Sequence, residues 1–489
     1  MPALQGAVHV DVAIVGGGIT GITAAYLLKQ AGKRVAVIEA HRVGAGVTGE
    51  TTAHISALLD TRYYNIESDF GKDGAKLAAQ SQNEAIEQIA HIVRDLQIEC
   101  DFTRVPVYLY TEQPQAVDEI KQEIEAARRA GLNAAYTEQI PLPFSTKGAL
   151  WLPDQAQFHP LRYLFQVAAA IPGGGSHIFE HSRIQDIQDG SPCQVKTEEG
   201  SVTADTVIMA TNVPPGLHVV DTEVAPYRSY VMALRTDDII PEGLYWDTED
   251  PYHYIRWANT GGGRVLLVGG YDHKVGQNDD TESAYRALYE YAQRHFQVNA
   301  VVGRWSGQTY EPADSLAYIG LSPGAEHVYL ATGYGGLGMT YSNVAARLLT
   351  DLIMGRPNPY ADLYSPARIK PLASAVDFVR ENVNVMKRFV GDRLSSEVDS
   401  FADIPTGEGR IVGSANAQIA AYRDESGELH MLSPVCPHMK CIVQWNSAEK
   451  SWDCPCHGGR FTPTGDWIEG PPAHNLTPVQ VKSEQSDQS

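Results

Sequence analysis

Apolar residues along this chain form short unbroken runs near the N-terminus and a period-two alternation farther on. Val12-Ala13-Ile14-Val15 has the length and continuity of a strand buried on both faces. Ile22–Ala31 follows as a helix, and Arg34–Ile38 as the next strand. Asp73–Leu96 and Pro114–Ala130 carry helical periodicity with charged outer faces, which predicts a helical excursion. Pro141-Leu142-Pro143 breaks the chain before Gly148–Pro153. His159-Pro160 starts another helix, and Ile171-Pro172-Gly173-Gly174-Gly175 ends it. Residues 176–212 read as strands. From Val224 to Trp305 the alternation predicts an antiparallel sheet, interrupted by a helix at about Glu282–Arg294. Residues 306–356 hold a strand and a helix that Pro357-Asn358-Pro359 terminates. Ser374 then caps a helix through about Leu394, with Val376, Val379, Val383, Met386 and Val390 on one stripe. Arg380, Lys387, Arg388 and Arg393 make it locally basic. It reads as a connector packing that stripe, with membrane or quinone docking as the other reading. Apart from the polar tail Lys482–Ser489, no repeat or low-complexity run appears.

The first strand runs directly into Gly16-Gly17-Gly18-Ile19-Thr20-Gly21. Gly16, Gly18 and Gly21 match G-x-G-x-x-G, which lets a pyrophosphate approach the free N–H groups of a helix start. Glu39 ends the second strand, where a carboxylate accepts hydrogen bonds from an adenosine ribose. This motif does not separate NAD from FAD. Three further stretches bear on that choice. Gly44–Ala53 includes Thr48, Thr51, Thr52 and Ala53; Thr206–Asn212 is an apolar strand ending in Ala210-Thr211-Asn212; Val328–Thr340 includes Gly333, Gly335, Gly336, Gly338 and Met339. Together they resemble the FAD-binding segments of the D-amino-acid-oxidase/glycine-oxidase (DAO) superfamily, over about residues 8–370. The resemblance implies an α/β FAD-binding domain, Rossmann-like and of the DAO/glutathione-reductase type, with an antiparallel-sheet substrate domain. It also implies that the last glycine loop approaches the flavin pyrimidine edge. Trp305-Ser306-Gly307 through Asp314 to Gly320 is similar to the family's W-x-G…D…P-x-x-G stretch, with Ala317 in place of Pro. FAD is expected to be non-covalent, because His54 does not match the family's flavinylated His and no Cys lies near Gly307.

Near the C-terminus stand Cys436-Pro437-His438 and Cys454-Pro455-Cys456-His457-Gly458-Gly459. The order Cys-x-His…Cys-x-x-His supplies two thiolates and two imidazoles, the donor set of a Rieske [2Fe–2S] centre. A zinc site of two cysteines and two histidines is the alternative, although zinc modules rarely embed their ligands in two such loops of a strand-rich domain. With Trp452-Asp453, Arg460-Phe461, Gly465 and Gly470-Pro471-Pro472, this stretch resembles the small all-β Rieske domain over residues 400–484. The resemblance implies Cys436, His438, Cys454 and His457 as cluster ligands and a disulfide between Cys441 and Cys456. Cys100 and Cys193 read as ordinary thiols. Respiratory Rieske loops place Ser where this chain has Gly459 and Tyr where it has Phe461. Without those hydroxyls the potential is expected low in the range of roughly −150 to +300 mV. The expected organisation is an oxidoreductase over 1–372, with FAD-binding parts 8–60, 176–215 and 306–356 and substrate parts 61–170 and 216–305. A linker helix over 373–399 and the Rieske domain over 400–484 complete it.

The chain has 489 residues and a net charge of −21, from 59 acidic against 38 basic side chains, which argues against nucleic acid or anionic lipid as partners. Met1–Asp11 carries no secretory pattern and no apolar stretch reaches transmembrane length, so the expected location is cytoplasmic. A disulfide is in tension with a reducing cytosol. In Tyr252-His253-Tyr254-Ile255-Arg256-Trp257 a strand period puts Tyr252, Tyr254 and Arg256 on one face. Two phenols and a guanidinium suit a substrate carboxylate; a structural sheet surface is the other reading. Tyr63, Tyr64, Tyr227 and Tyr230 are weaker candidates. The activity these features imply is a dehydrogenase that oxidises a small amine or amino-acid-like substrate and relays electrons from FAD through the cluster to an external carrier. An oxygen-using oxidase with a regulatory cluster, and a redox carrier or sensor without its own organic substrate, are the alternatives.

Overall fold

Strand Gly6–Val15 is buried throughout its Val12–Val15 run because it has parallel neighbours on both sides, Val35–Ile38 and Gly200–Met209. A strand in that position needs apolar side chains on both faces, which removes the alternation. The sheet extends through His177–Phe179 on one side and Val328–Thr332 on the other, both parallel, and ends in antiparallel Tyr318–Leu321. The hairpin Ile184–Gln188/Cys193–Thr197 brings it to eight strands. This is a computed structural model, and it describes residues 1–278, 280–368, 388, 398, 400–413 and 418–479. Helix Ile19–Gln30 follows the glycine loop and is buried on nearly every side. Its Thr20 hydroxyl donates to Ser342 Oγ (2.8 Å) on helix Gly338–Ile353.

A second, nine-stranded sheet holds the alternating segments. Val224–Thr236 pairs antiparallel with Val298–Pro312, and His253–Thr260 pairs with Gly263–Lys274 and with Leu244–Asp247. Thr103–Thr111 and Gly148–Gln157 continue it. His54–Ile55 pairs with Gln157 and Ala156, so the segment that begins at the nucleotide loop ends as an edge strand of this other sheet. Val298–Pro312 runs unbroken through position 305, where a boundary between substrate and cofactor parts was expected. The excursion helix runs from Tyr63 to Asp95 with a break at Gly71 (φ 72°). Helices Val117–Arg129, Pro160–Ala169 and Glu282–His295 lie where periodicity predicts them.

The chain divides into two compact units, Met1–His273 with Ser283–Val379, and Lys274–Glu282 with Arg380–Ser489. In the second, Glu408–Val412, Ile419–Arg423 and Leu429–Leu432 form one antiparallel sheet. Gln444–Asn446, Ser451–Asp453, Arg460–Phe461 and Trp467–Glu469 form another. Trp452 and Phe461 are fully buried in its core. The expected linker helix over 373–399 and the tail Lys482–Ser489 lie outside the described residues, except for positions 388 and 398. Among the described residues no helix is long and apolar enough to cross a membrane.

Candidate functional site

The glycine loop is built for close approach. Gly16 has φ +109°, and a Cβ there would sit 2.4 Å from the Ala210 carbonyl oxygen; one at Gly21 would sit 2.0 Å from the Gly16 carbonyl oxygen. Strand, turn and helix therefore pack at a spacing only glycine permits. Gly18 precedes the first turn of helix Ile19–Gln30, where Thr48 Oγ1 accepts from the Ile19 N–H (3.1 Å). Glu39 lies over the loop, its carboxylate accepting from the N–H groups of Gly17 (2.7 Å) and His41 (2.8 Å). Thr51 Oγ1 accepts from the Ala53 N–H, and Ala53 itself takes a left-handed φ of 54°. Thr211 Oγ1 donates to the Val213 carbonyl (2.7 Å). Gly333 and Gly335 both have positive φ and lead into helix Gly338–Ile353, with Met339 buried in its first turn. A glycine turn at a helix start, an acid over it and a second helix start with open space at Gly338 fit a dinucleotide with a flavin head. Asp314 of the W-x-G…D stretch is fully buried and takes a bidentate grip from Arg368, which also donates to the Leu316 and Ala317 carbonyls.

Beside the second glycine loop lies a cavity of about 330 Å³. Asp60, Asp247, Glu249, Asp272 and Glu311 line it, with Trp246, Tyr252, Tyr334 and Tyr341 as aromatic walls. Asp60 Oδ2 accepts from the Gly336 N–H (2.7 Å). Tyr252 donates to Asp272 Oδ2 (3.0 Å), and Tyr254 pairs with Ser229 Oγ (3.0 Å). Burial, with Asp60 nearby, pushes Asp272 up to about 7. Arg256 shares the strand but not the role expected of it. It is 4% exposed, and its guanidinium donates to the carbonyls of Thr52, Phe158 (3.2 Å) and Trp257 (3.1 Å). Those three acceptors engage Nε–H and one N–H of each terminal nitrogen, and Arg256 is not among the residues that line the cavity. Tyr63 and Tyr230 are buried in the interior, Tyr63 donating to the Ala57 carbonyl and Tyr230 paired with His273. Tyr64 is half-buried against Glu119, and Tyr227 pairs with Thr309 across neighbouring strands. His54 stacks edge-on to Trp246 and Tyr254 and is held neutral, burial and the Arg256 charge lowering it to about 3. Asp60 and Asp272 were not singled out from sequence. Each sits in its own segment, and no spacing links them.

In the C-terminal unit the two cysteine loops close on each other. Cys436 N–H donates to the Cys441 carbonyl (2.8 Å), and Cys454 N–H to that of Gly459 (2.7 Å). Cys441 and Cys456 form a disulfide. The His438 and His457 rings stand perpendicular with centroids 4.9 Å apart. Cys436 and Cys454 are buried side by side as free thiols. A hydrogen bond to Cys454 and then burial push Cys436 up; a hydrogen bond from Cys436 and main-chain N–H groups of Cys456 and His457 hold Cys454 down. Two adjacent sulfurs and two convergent imidazoles fit a [2Fe–2S] centre held by two cysteines and two histidines. Gly470 and Pro472 cover this site, Pro472 packing on Gly459.

Fold and site together define an oxidoreductase that joins flavin chemistry to an iron–sulfur centre. The model of the DAO family, described as FAD dependent oxidoreductase, matches residues 11–352, and that of the Rieske [2Fe-2S] domain matches residues 396–481. The chain belongs to the DAO family of FAD-dependent oxidoreductases and carries a C-terminal Rieske domain, so its cofactors are FAD and a [2Fe–2S] cluster. It is 35% identical over 484 residues to the YhfW protein of Bacillus subtilis (strain 168), whose name includes the words Rieske 2Fe-2S iron-sulfur protein. That alignment spans 98% of this chain and 95% of the relative. Gamma-glutamylputrescine oxidoreductase of Escherichia coli (strain K12) is 28% identical over 371 residues, 72% of this chain and 85% of that protein. The solved glycine oxidase of Geobacillus kaustophilus superposes with a TM-score of 0.61 at 19% identity, covering 74% of this chain and 99% of that one.

Proposed function

We propose that this protein is a dehydrogenase of a small amine or amino-acid-like compound, and that electrons leave it singly through the cluster to an external carrier. The observation that carries the reading is the pairing, in one chain, of an FAD-binding oxidoreductase unit with buried thiols and imidazoles set for a one-electron centre. When bound, the flavin accepts a hydride equivalent from a carbon next to nitrogen, and the cluster exchanges one electron at a time. The protein's residues hold and orient. Gly16, Gly18, Gly21 and Glu39 hold the dinucleotide, with Thr48, Thr51, Thr52, Ala53 and Thr211 beside it. The helix start at Gly338 and Met339 offers its positive end to the pyrimidine edge. The cavity beside Gly335 and Gly336 takes the substrate. Cys436, His438, Cys454 and His457 hold the iron. The relative named for gamma-glutamylputrescine supports an amine or amino-acid-like substrate.

The test is anaerobic mixing of the purified protein with a panel of amines and amino acids, following flavin bleaching together with the cluster's paramagnetic signal. The reading expects both centres to be reduced by one substrate, and the Cys436→Ser protein to bleach its flavin without passing electrons to a one-electron acceptor. Oxygen consumption that survives Cys436→Ser would identify an oxidase instead. A flavin that no compound bleaches would leave a carrier or sensor.

A further inference from the structure

Five carboxylates line the cavity beside the second glycine loop, and among the described residues Arg62 is the one cation lining it. Arg62 is already paired with Glu119 (3.6 Å). Arg256, on the strand that supplies Tyr254, is held by main-chain carbonyls. The carboxylates differ in how far they are satisfied. Asp247 accepts from the main-chain N–H groups of His253 (2.8 Å) and Glu249 (3.3 Å) and from the His253 ring. Asp272 Oδ1 and Glu249 Oε1 are buried and lack a well-aligned donor, with the Ser229 hydroxyl beside the one carboxyl group and the Gln113 side chain beside the other. A buried carboxylate oxygen left without a donor is unfavourable, and a cationic N–H donor is the partner that relieves it. Trp246, Tyr252, Tyr334 and Tyr341 line the same space, and aromatic rings attract an ammonium group. A zwitterionic amino acid would bring a carboxylate into this acidic wall, where Arg62, the one lining cation among the described residues, faces Glu119 through its Nε.

We infer that the substrate class of this cavity is a cationic amine without a neighbouring carboxylate, its ammonium group held by Asp272 and Asp60 and by the aromatic walls. This deepens the dehydrogenase reading and rests on it for turnover, though not for binding. The raised value of Asp272 agrees with a carboxyl group waiting for a cation.

The binding test uses two probes of the same shape in the FAD- and cluster-loaded protein. tert-Butylamine is cationic and has no hydrogen on the carbon bearing nitrogen, so it binds without turnover; pivalate is its anionic counterpart. Perturbation of the flavin absorbance should show tert-butylamine binding more tightly than pivalate. Asp272→Asn should weaken the amine by at least about tenfold and leave pivalate unchanged or tighter, as for loss of one member of a buried charge pair. Asn keeps an oxygen to accept from Tyr252, and Asp60→Asn, which keeps its bond to Gly336, is the second variant and should act in the same direction. Equal or tighter binding of pivalate, binding of neither probe, or amine affinity unmoved in both variants would overturn the inference. The turnover arm separates the two readings. Bleaching by n-butylamine but not by glycine or L-proline supports both. Bleaching by glycine or L-proline alone overturns the amine class and keeps the dehydrogenase. Tight binding of tert-butylamine with no bleaching by any compound keeps the cation site and removes the dehydrogenase.

Discussion

The two redox regions of this molecule are assembled on opposite plans. In the C-terminal unit all four donors lie between Cys436 and His457, on two loops that a disulfide joins and short main-chain hydrogen bonds close. The cavity of the N-terminal unit takes its walls from segments as far apart as Leu59 and Tyr341. Its carboxylates depend on long-range contacts such as that of Asp60 with Gly336, 276 positions away. The consequence is a difference in how each region fails. On the proposed reading, replacing one cluster ligand should release the metal, whereas replacing one cavity carboxylate should leave the walls standing and change which ligand is preferred.

The most demanding test of the local plan cuts its covalent tie. Cys441→Ala with Cys456→Ala opens a loop spanning a sequence separation of 15, and should cost the C-terminal unit about 3 kcal/mol through the freedom returned to the unfolded chain. Denaturant unfolding followed at the cluster's visible absorbance measures it. A change under about 1 kcal/mol, the size of an ordinary point substitution, would mean that packing around Trp452 and Phe461 fixes the loops without the bond.

The same contrast explains what could be read from the chain beforehand. The four cysteine and histidine donors could be proposed from sequence because their spacing is short and their chemistry specific, and the structure brings together the two loops that carry them. The glycine turn was legible because Gly16 and Gly21 sit where a Cβ has no room. Burial of Val12–Val15 on both faces followed from an unbroken apolar run. The cavity was not legible, since nothing near Asp60 or Asp272 in sequence announces that they face one space. Arg256 shows the limit of periodicity. Alternation assigns a residue to a face, but only the tertiary fold brings the Thr52 and Phe158 carbonyls to its guanidinium. His54–Ile55 leaves the cofactor segment for the other sheet for the same reason, its partners being Gln157 and Ala156, far along the chain.

A pH titration sharpens the contrast from the cavity side. Asp272 faces Tyr252, Tyr254, Ser229 and Asp60, and burial holds it up to about 7. Below that value it is neutral and attracts a cation weakly; above it the carboxylate is charged, while an alkylammonium stays protonated to about pH 10. The affinity for tert-butylamine should therefore climb by up to about tenfold per pH unit as pH rises toward 7, and then level off. Asp272→Asn should flatten that rise. Without ligand the linkage runs the other way. The folded chain keeps a proton that the unfolded chain releases between about 4 and 7, so this group's contribution to stability is present at low pH and lost as pH rises through 7. A flat affinity profile in the unaltered protein would remove Asp272 as the counter-ion.

The smallest expected effect belongs to the cluster unit, where a graded change is least natural. Phe461 is fully buried in the same apolar cluster as Cys436, Cys454 and the disulfide. Phe461→Tyr adds a hydroxyl there, and hydrogen bonds to cluster or thiolate sulfur favour the reduced form. One such bond, worth about 1 kcal/mol, corresponds to a rise of about 40 mV in a one-electron couple. Gly459→Ser is not an equivalent change, because a Cβ at Gly459 would lie 2.6 Å from Pro472 Cγ and the covering loop would have to move. A redox titration of the Phe461→Tyr protein against the unaltered one reads the difference. An unaltered midpoint near the top of the Rieske range of roughly −150 to +300 mV would mean that the missing hydroxyls do not set this potential. An unmoved or lower midpoint in the variant would mean that the added hydroxyl finds no sulfur to donate to.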